Sequence, residues 1–226
     1  MKIGLLIIAT NKYVNFLQPL IESADKFFLK EHDVTYFVFT NNKIEVKTNR
    51  SVVFIDTEHR EWPWMTLGRY RIFSNNSAWF YDTDYLYYID ADMLFIDSVG
   101  EEIFGELVVT QHPGYYNGGD WREARSRSTA YISNDKKIHY VAGGFNGGKT
   151  ENFMKMANIL ASNIDADYNN GIIAVWHDES HLNKYVAYYP NEIKLLTPSY
   201  CYGEDMNIPF KKRIIALTKK HEELRS

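Results

Sequence analysis

The sequence predicts an α/β fold, a single mixed, mainly parallel sheet flanked by helices. Strand-like and helix-like patterns alternate through the first half, the arrangement that builds parallel sheets covered by helices. The first strand candidate is an unbroken apolar run, as expected of a strand buried on both faces. The hydrophobic share of 45% and charged share of 24% in 226 residues are those of a globular chain, so disorder, collagen and coiled coil are excluded.

The elements follow in order. Ile3-Gly4-Leu5-Leu6-Ile7-Ile8-Ala9 is the opening strand. Val14, Leu17, Leu20, Ile21, Ala24, Phe27 and Phe28 recur at helical spacing. Thr35-Tyr36-Phe37-Val38-Phe39 and Val52-Val53-Phe54-Ile55 are short β-branched and aromatic strand candidates. Thr66 is placed to cap a second helix carrying Leu67, Tyr70, Phe73 and Phe80. Tyr85-Leu86-Tyr87-Tyr88-Ile89 is a further strand. Beyond it the pattern loosens: Leu107-Val108-Val109 and Ala130-Tyr131-Ile132 are strand-like pieces, and helices are expected over 150–163 and 178–188. No repeat or linker divides the chain, so one domain over 1–226 is expected, closed by a basic tail over 211–226 with Lys211-Lys212-Arg213 and Lys219-Lys220-His221.

Composition narrows function. The lone Cys201 excludes an internal disulfide and a thiolate zinc site. A net charge of −4 gives no drive toward nucleic acid or anionic membrane. No apolar run approaches the roughly 18–20 residues a bilayer requires, and the first apolar run lacks a signal-peptide cleavage site. A soluble, cytoplasmic protein is therefore expected, in which the acceptor patterns Asn49-Arg50-Ser51 and Asn75-Asn76-Ser77 carry no glycan. Aromatic residues at 15% exceed what the core needs and suit sugar or nucleobase faces as well as packing.

Three segments carry chemistry. Asp90-Ala91-Asp92 ends a strand, and residues two apart in extended chain face the same way, roughly 6.5–7 Å apart. Two carboxylates so placed suit a hard divalent cation, Mn²⁺ or Mg²⁺, bridging to phosphates, at the strand end where open α/β sheets bind ligands. The plain alternative is a strand that merely ends in two surface aspartates. Trp176-His177-Asp178-Glu179-Ser180-His181 is the densest polar stretch. It admits a zinc site on His177 and His181, a catalytic Asp178 or Glu179 beside an indole, or a helix start whose acids complement the dipole. Gly143-Gly144-Phe145-Asn146-Gly147-Gly148 permits close backbone approach to a ligand or tight turns, and its spacing is not that of a dinucleotide loop.

Taken together, these segments resemble family 6 glycosyltransferases, retaining enzymes whose members include blood-group A and B transferases and α-1,3-galactosyltransferases. Asn170 through Tyr185 carries the strongest likeness; His112-Pro113-Gly114-Tyr115-Tyr116 and Ala142-Gly143-Gly144 fall in the family's order. The resemblance implies a GT-A type fold, here the catalytic domain without anchor or stem. It also implies transfer of GalNAc or galactose from UDP-GalNAc or UDP-galactose in α-1,3 linkage to a galactose-type acceptor glycan. Bacterial members often carry Asn-x-Asn at the metal position, whereas Asp90 and Asp92 keep the metal-binding form.

By the same resemblance Ile8, Ala9, Thr10 and Tyr13 hold uracil and ribose, and Arg69 contacts the donor sugar near the metal. Ala91 lies within the metal motif. Ala142, Gly143 and Gly144 line the position that separates galactose from its N-acetylamino analogue, and their small size favours UDP-GalNAc. Asp178 positions sugar hydroxyls, Glu179 is the catalytic carboxylate, and Lys219 and Arg225 fold over the diphosphate. His112, Trp121, Trp176 and Glu179 form the acceptor side, where Trp121 and Ala124 depart from the animal enzymes. A zinc hydrolase built on His177 and His181, and a carbohydrate-binding module without catalysis, are the rival classes.

Overall fold

A computed structural model describes residues 1–137, 139–220 and 224. The chain order is β1 (Lys2–Ile8), α1 (Leu17–Phe27), β2 (Asp33–Thr40), β3 (Ser51–Asp56), α2 (Trp64–Leu67), α3 (Arg69–Asn75), β4 (Tyr85–Asp90), β5 (Met93–Phe95), β6 (Leu107–Gln111), β7 (Val141–Lys149), α4 (Thr150–Asn169), α5 (His177–Tyr188), β8 (Ile193–Leu196), β9 (Tyr202–Gly203) and β10 (Ile214–Ala216).

Seven strands form the main sheet in the order β3-β2-β1-β4-β7-β6-β8. The first four run parallel, and β7 lies antiparallel between β4 and β6. The expected mixed sheet flanked by helices is therefore present. A three-stranded sheet, β5-β10-β9, stands beside it; its two- and three-residue strands are too short to leave a periodic signal.

The apolar run of β1 is explained by its central place. Leu5 and Ile7 face the core that takes in Leu17, Leu20, Ile21 and Ala24 of α1. Leu6 faces the opposite core with Tyr70 and Phe73 of α3 and Phe153 and Met156 of α4. Successive strand residues point to opposite faces, so both must be apolar when helices cover both sides.

Four expectations are corrected. Thr66 caps nothing: it lies inside α2, whose start is preceded by the cis Trp62–Pro63 bond. Phe80 belongs to a separate short turn at Ser77–Phe80, not to the helix with Phe73. Ala130-Tyr131-Ile132 is not a strand, because no strand among the described residues pairs with it. Of the two readings of the glycine pairs, close backbone approach and tight turns, the turns are excluded, since all four glycines lie in β7. There a Cβ on Gly147 would lie 2.3 Å from the Tyr87 ring and 2.4 Å from the Leu86 carbonyl, so glycine makes room for the neighbouring strand. Two boundaries also move, since the first helix begins only at Leu17 and α4 runs on to Asn169.

Candidate active site

The parallel strands β1 and β4 end side by side, with Ile8 in register with Asp90. Because β7 runs the other way, its beginning, Gly143 and Gly144, reaches the same edge. A cleft of about 320 Å³ opens there. Thr10 and Tyr13, in the turn after β1, form one wall; Asp90, Ala91 and Asp92 form the floor with Gly143 and Gly144. Trp176, Asp178 and Glu179 close it from the start of α5. His177 turns the chain into that helix with φ of 52°, a left-handed conformation uncommon outside glycine.

Arg69 ties these elements together. Its Nη1 donates to the Gly143 carbonyl at 3.0 Å, its Nη2 lies 3.3 Å from Asp90 Oδ1, and its Nε lies 3.1 Å from Asp178 Oδ2. The guanidinium is buried and stands 4.5 Å over the Tyr88 ring. Asp90 also accepts from the Tyr88 hydroxyl at 2.5 Å. Asp92 is paired with Lys219, whose ammonium lies 5.2 Å over the Tyr13 ring. The cleft thus gathers carboxylates and cations in alternation.

The two acids of α5 differ from an ordinary helix start. Burial pushes the Asp178 carboxyl up to about 6; the Arg69 charge opposes the shift and the Asp90 charge adds to it. Burial pushes Glu179 up to about 7, against donors from Gly143 and Tyr140. Glu179 Oε2 accepts the Gly143 N–H at 3.0 Å and Oε1 accepts the Tyr140 hydroxyl at 2.9 Å. A carboxylate that can ionise near neutrality in a cleft is suited to acid–base or nucleophilic work.

The candidate residues fall into groups. Ile8, Thr10, Tyr13, Arg69, Asp90, Ala91, Asp92, Gly143, Gly144, Trp176, Asp178, Glu179 and Lys219 all line the cleft. Ala9 and Ala142 are buried beneath it. His112 and Trp121 stand apart, packed with Tyr115 around Tyr140. Arg225 lies outside the described residues. His177 and His181 do not converge: His177 packs against Trp62, whereas His181 is buried 3.8 Å from Asp167. Among the described residues no group of three or more His, Cys, Asp or Glu side chains is placed to hold a metal.

Sequence reasoning missed the wall made by His59, Arg60, Glu61 and Trp62, between β3 and α2. His59 reaches Thr10 Oγ1 at 2.9 Å. The signal available was a charged and aromatic run directly after a parallel strand, where such sheets place their ligands. Tyr140 was also missed, since only the fold brings it to Glu179.

Asp90 and Asp92 fit a divalent cation by the chemistry of their donors. Hard cations such as Mg²⁺ are commonly held by one or two carboxylates and complete their shell with phosphate oxygens and water. The Asp90 side chain is 35% exposed to the cleft and Asp92 8%.

The family model described as glycosyltransferase family 6 matches residues 1–226. Histo-blood group ABO system transferase 1 of Rattus norvegicus is 36% identical over 239 residues, covering 99% of this chain and 68% of that protein. Globoside alpha-1,3-N-acetylgalactosaminyltransferase 1 of Homo sapiens is 30% identical, covering 98% of this chain and 67% of its own length. The O-antigen biosynthesis glycosyltransferase WbnI of Escherichia coli is 31% identical, covering 98% and 97%. Among the described residues no helix is long and apolar enough to cross a membrane.

Proposed function

Since the chain belongs to glycosyltransferase family 6 and has the mixed sheet of the GT-A type, we propose that it moves GalNAc, or galactose, from a UDP-sugar to a galactose-type acceptor. The linkage is α-1,3, the anomeric configuration is retained, and Mn²⁺ or Mg²⁺ supports the donor. The observation that carries this reading is the shared cleft: a strand-end pair of aspartates with two cations on one side, and a carboxylate held by two donors on the other. The names of the relatives, N-acetylgalactosaminyl and blood-group transferases, favour GalNAc and the α-1,3 linkage.

Cleavage of the anomeric bond leaves negative charge on the diphosphate and positive charge on the sugar carbon. Asp90 and Asp92 would hold the cation, which when bound supplies Lewis-acid stabilisation of the leaving group. Lys219, paired with Asp92, adds a positive charge near the diphosphate. Glu179 meets the cationic carbon, as nucleophile or as electrostatic partner, and both roles need it ionised. Arg69 and Asp178 orient the sugar between them. Trp62 and Trp176 offer apolar ring faces along the cleft wall, against which a sugar face can pack.

The test is a screen of UDP-sugars against galactose-terminated acceptors with Mn²⁺ or EDTA. UDP-GalNAc is expected to be the preferred donor, and EDTA to remove turnover. Glu179→Gln should keep UDP affinity and lose at least about 100-fold in kcat. Wild-type turnover by Glu179→Gln, or full activity of Asp92→Asn in EDTA, would overturn the assignment.

A further inference from the structure

Glu179 does not set its own geometry. Its two oxygens are held by donors from one segment, the Tyr140 hydroxyl at 2.9 Å and the Gly143 N–H at 3.0 Å. Tyr140 is 1% exposed and enclosed by rings: Tyr115 at 5.4 Å, Trp121 at 5.6 Å and His112 at 5.7 Å, all edge-on. A buried phenol needs a hydrogen-bond partner, and this one spends its proton on the carboxylate beneath the proposed sugar site. His112 Nδ1 accepts the Gly114 N–H at 3.0 Å, and burial holds its pKa down to about 4. The imidazole against Tyr140 is therefore neutral and brings no competing charge.

We propose that Tyr140 is a positioning residue for glycosyl transfer: its hydroxyl fixes Glu179 toward the cleft and favours the ionised carboxylate, while the His112–Tyr115–Trp121 cluster fixes the hydroxyl. This rests on the reading of Glu179 as the carboxylate under the sugar. The physical basis is that a donor to the charged form of an acid favours that form. Burial is the largest influence on Glu179 and raises its pKa; Asp178 on the same helix raises it too. Gly143, Tyr140 and Arg69 of α3 oppose them. Tyr70 of α3, Tyr115 and Cys201 also face Glu179; each is pushed up and stays neutral. Burial raises Tyr140 far above the usual phenol range, so it remains a donor wherever the enzyme works.

The experiment uses the full chain and Tyr140→Phe, which keeps the ring and removes only the donor. Carbon-13 spectra of protein labelled at the glutamate carboxyls, with Glu179→Gln assigning the signal, read the Glu179 titration directly. In Tyr140→Phe that titration should move up by about one pH unit, the effect of losing one hydrogen bond to a charged group. The acid limb of kcat should move with it, giving about tenfold loss near pH 6 that shrinks toward pH 9. UDP affinity should stay within about twofold. An unmoved Glu179 titration, or a loss equal at every pH, overturns the inference while leaving Glu179 in place. A Tyr140→Phe chain that does not fold assigns the hydroxyl a structural role and overturns it equally. Wild-type turnover by Glu179→Gln is a different failure, that of the function itself.

Discussion

The Arg69 guanidinium lies 3.1 Å from the Asp178 carboxylate with both groups buried. The contact is electrostatic and not a hydrogen bond, for Arg69 Nε and Asp178 Oδ2 both lack a hydrogen-bond partner. The same guanidinium meets Asp90 and the Gly143 carbonyl. One cation thus bridges the acid at the end of β4 and the acid at the start of α5. Without it, the two acids would face each other across the cleft with no positive charge between them.

Removing one partner of a buried pair costs more than the pair contributes, because the other charge is stranded. Arg69→Ala should lose about 3–5 kcal/mol of stability in urea denaturation. Adding Asp178→Asn should restore part of that loss, since the stranded charge disappears. Simple additivity of the two substitutions would show that the contact carries no coupling.

The pH dependence of stability has a defined sign at Glu179. Its pKa is raised in the folded chain to about 7 from an ordinary 4.5. The folded state therefore holds the proton more tightly, and the stability this gives is complete below about pH 4.5 and lost as pH rises through about 7. Glu179→Gln cannot titrate. Its stability relative to the wild type should rise between pH 5 and 8, on the order of 2 kcal/mol. A difference constant across that range would mean Glu179 is not raised.

Gly144 tests how closely backbone approaches the proposed metal aspartates. A Cβ there would lie 3.1 Å from Met93 Sδ and 3.2 Å from both Asp90 Oδ2 and Cys201 Sγ. Those distances are tight enough that the neighbours must shift by tenths of an ångström. Gly144→Ala should therefore displace Asp90 and weaken UDP binding in the presence of Mn²⁺ by about tenfold, at a stability cost near 1 kcal/mol. Calorimetric titration with UDP reads this; unchanged affinity would show that Asp90 has slack.

The parts of this site that show in the sequence are those whose physics is local. The β1 run announces a strand covered on both faces, and Asp90 and Asp92 sit where a strand stops. Asp178 and Glu179 open a helix with ordinary polar patterning. The parts that do not show depend on distant neighbours. Four of the nine residues of β7 are glycine, which admits turns, and distant neighbours explain two of them: the Tyr87 ring against Gly147 and the Glu106 backbone against Gly148. Ala130–Ile132 has strand composition but, among the described residues, no strand to pair with. Tyr140 meets Glu179 across 39 residues, and no periodicity encodes that contact. The resemblance to a known family supplied what local pattern did not, namely which of several polar residues share one cleft.

Asp167 anchors the irregular segment that carries Trp121, on the proposed acceptor side. Between the end of β6 and the start of β7 the described residues are almost free of regular structure, and long loops of this kind are commonly functional. Asp167 of α4 is 2% exposed and accepts the Ser128 hydroxyl at 2.5 Å and the Thr129 N–H at 2.7 Å. His181 Nε2 lies 3.8 Å away, and burial keeps that imidazole down to about 4. Asp167→Ala would leave the half-buried Thr129 N–H and the buried Ser128 hydroxyl without their acceptor, a loss of about 2–4 kcal/mol. The loop also carries Trp121, which packs on Tyr140, so the KM for acceptor should rise several-fold while UDP affinity holds. Equal losses on both substrates would tie Asp167 to the whole fold and not to this loop. An unchanged stability would show that the Ser128 and Thr129 contacts are not made in solution.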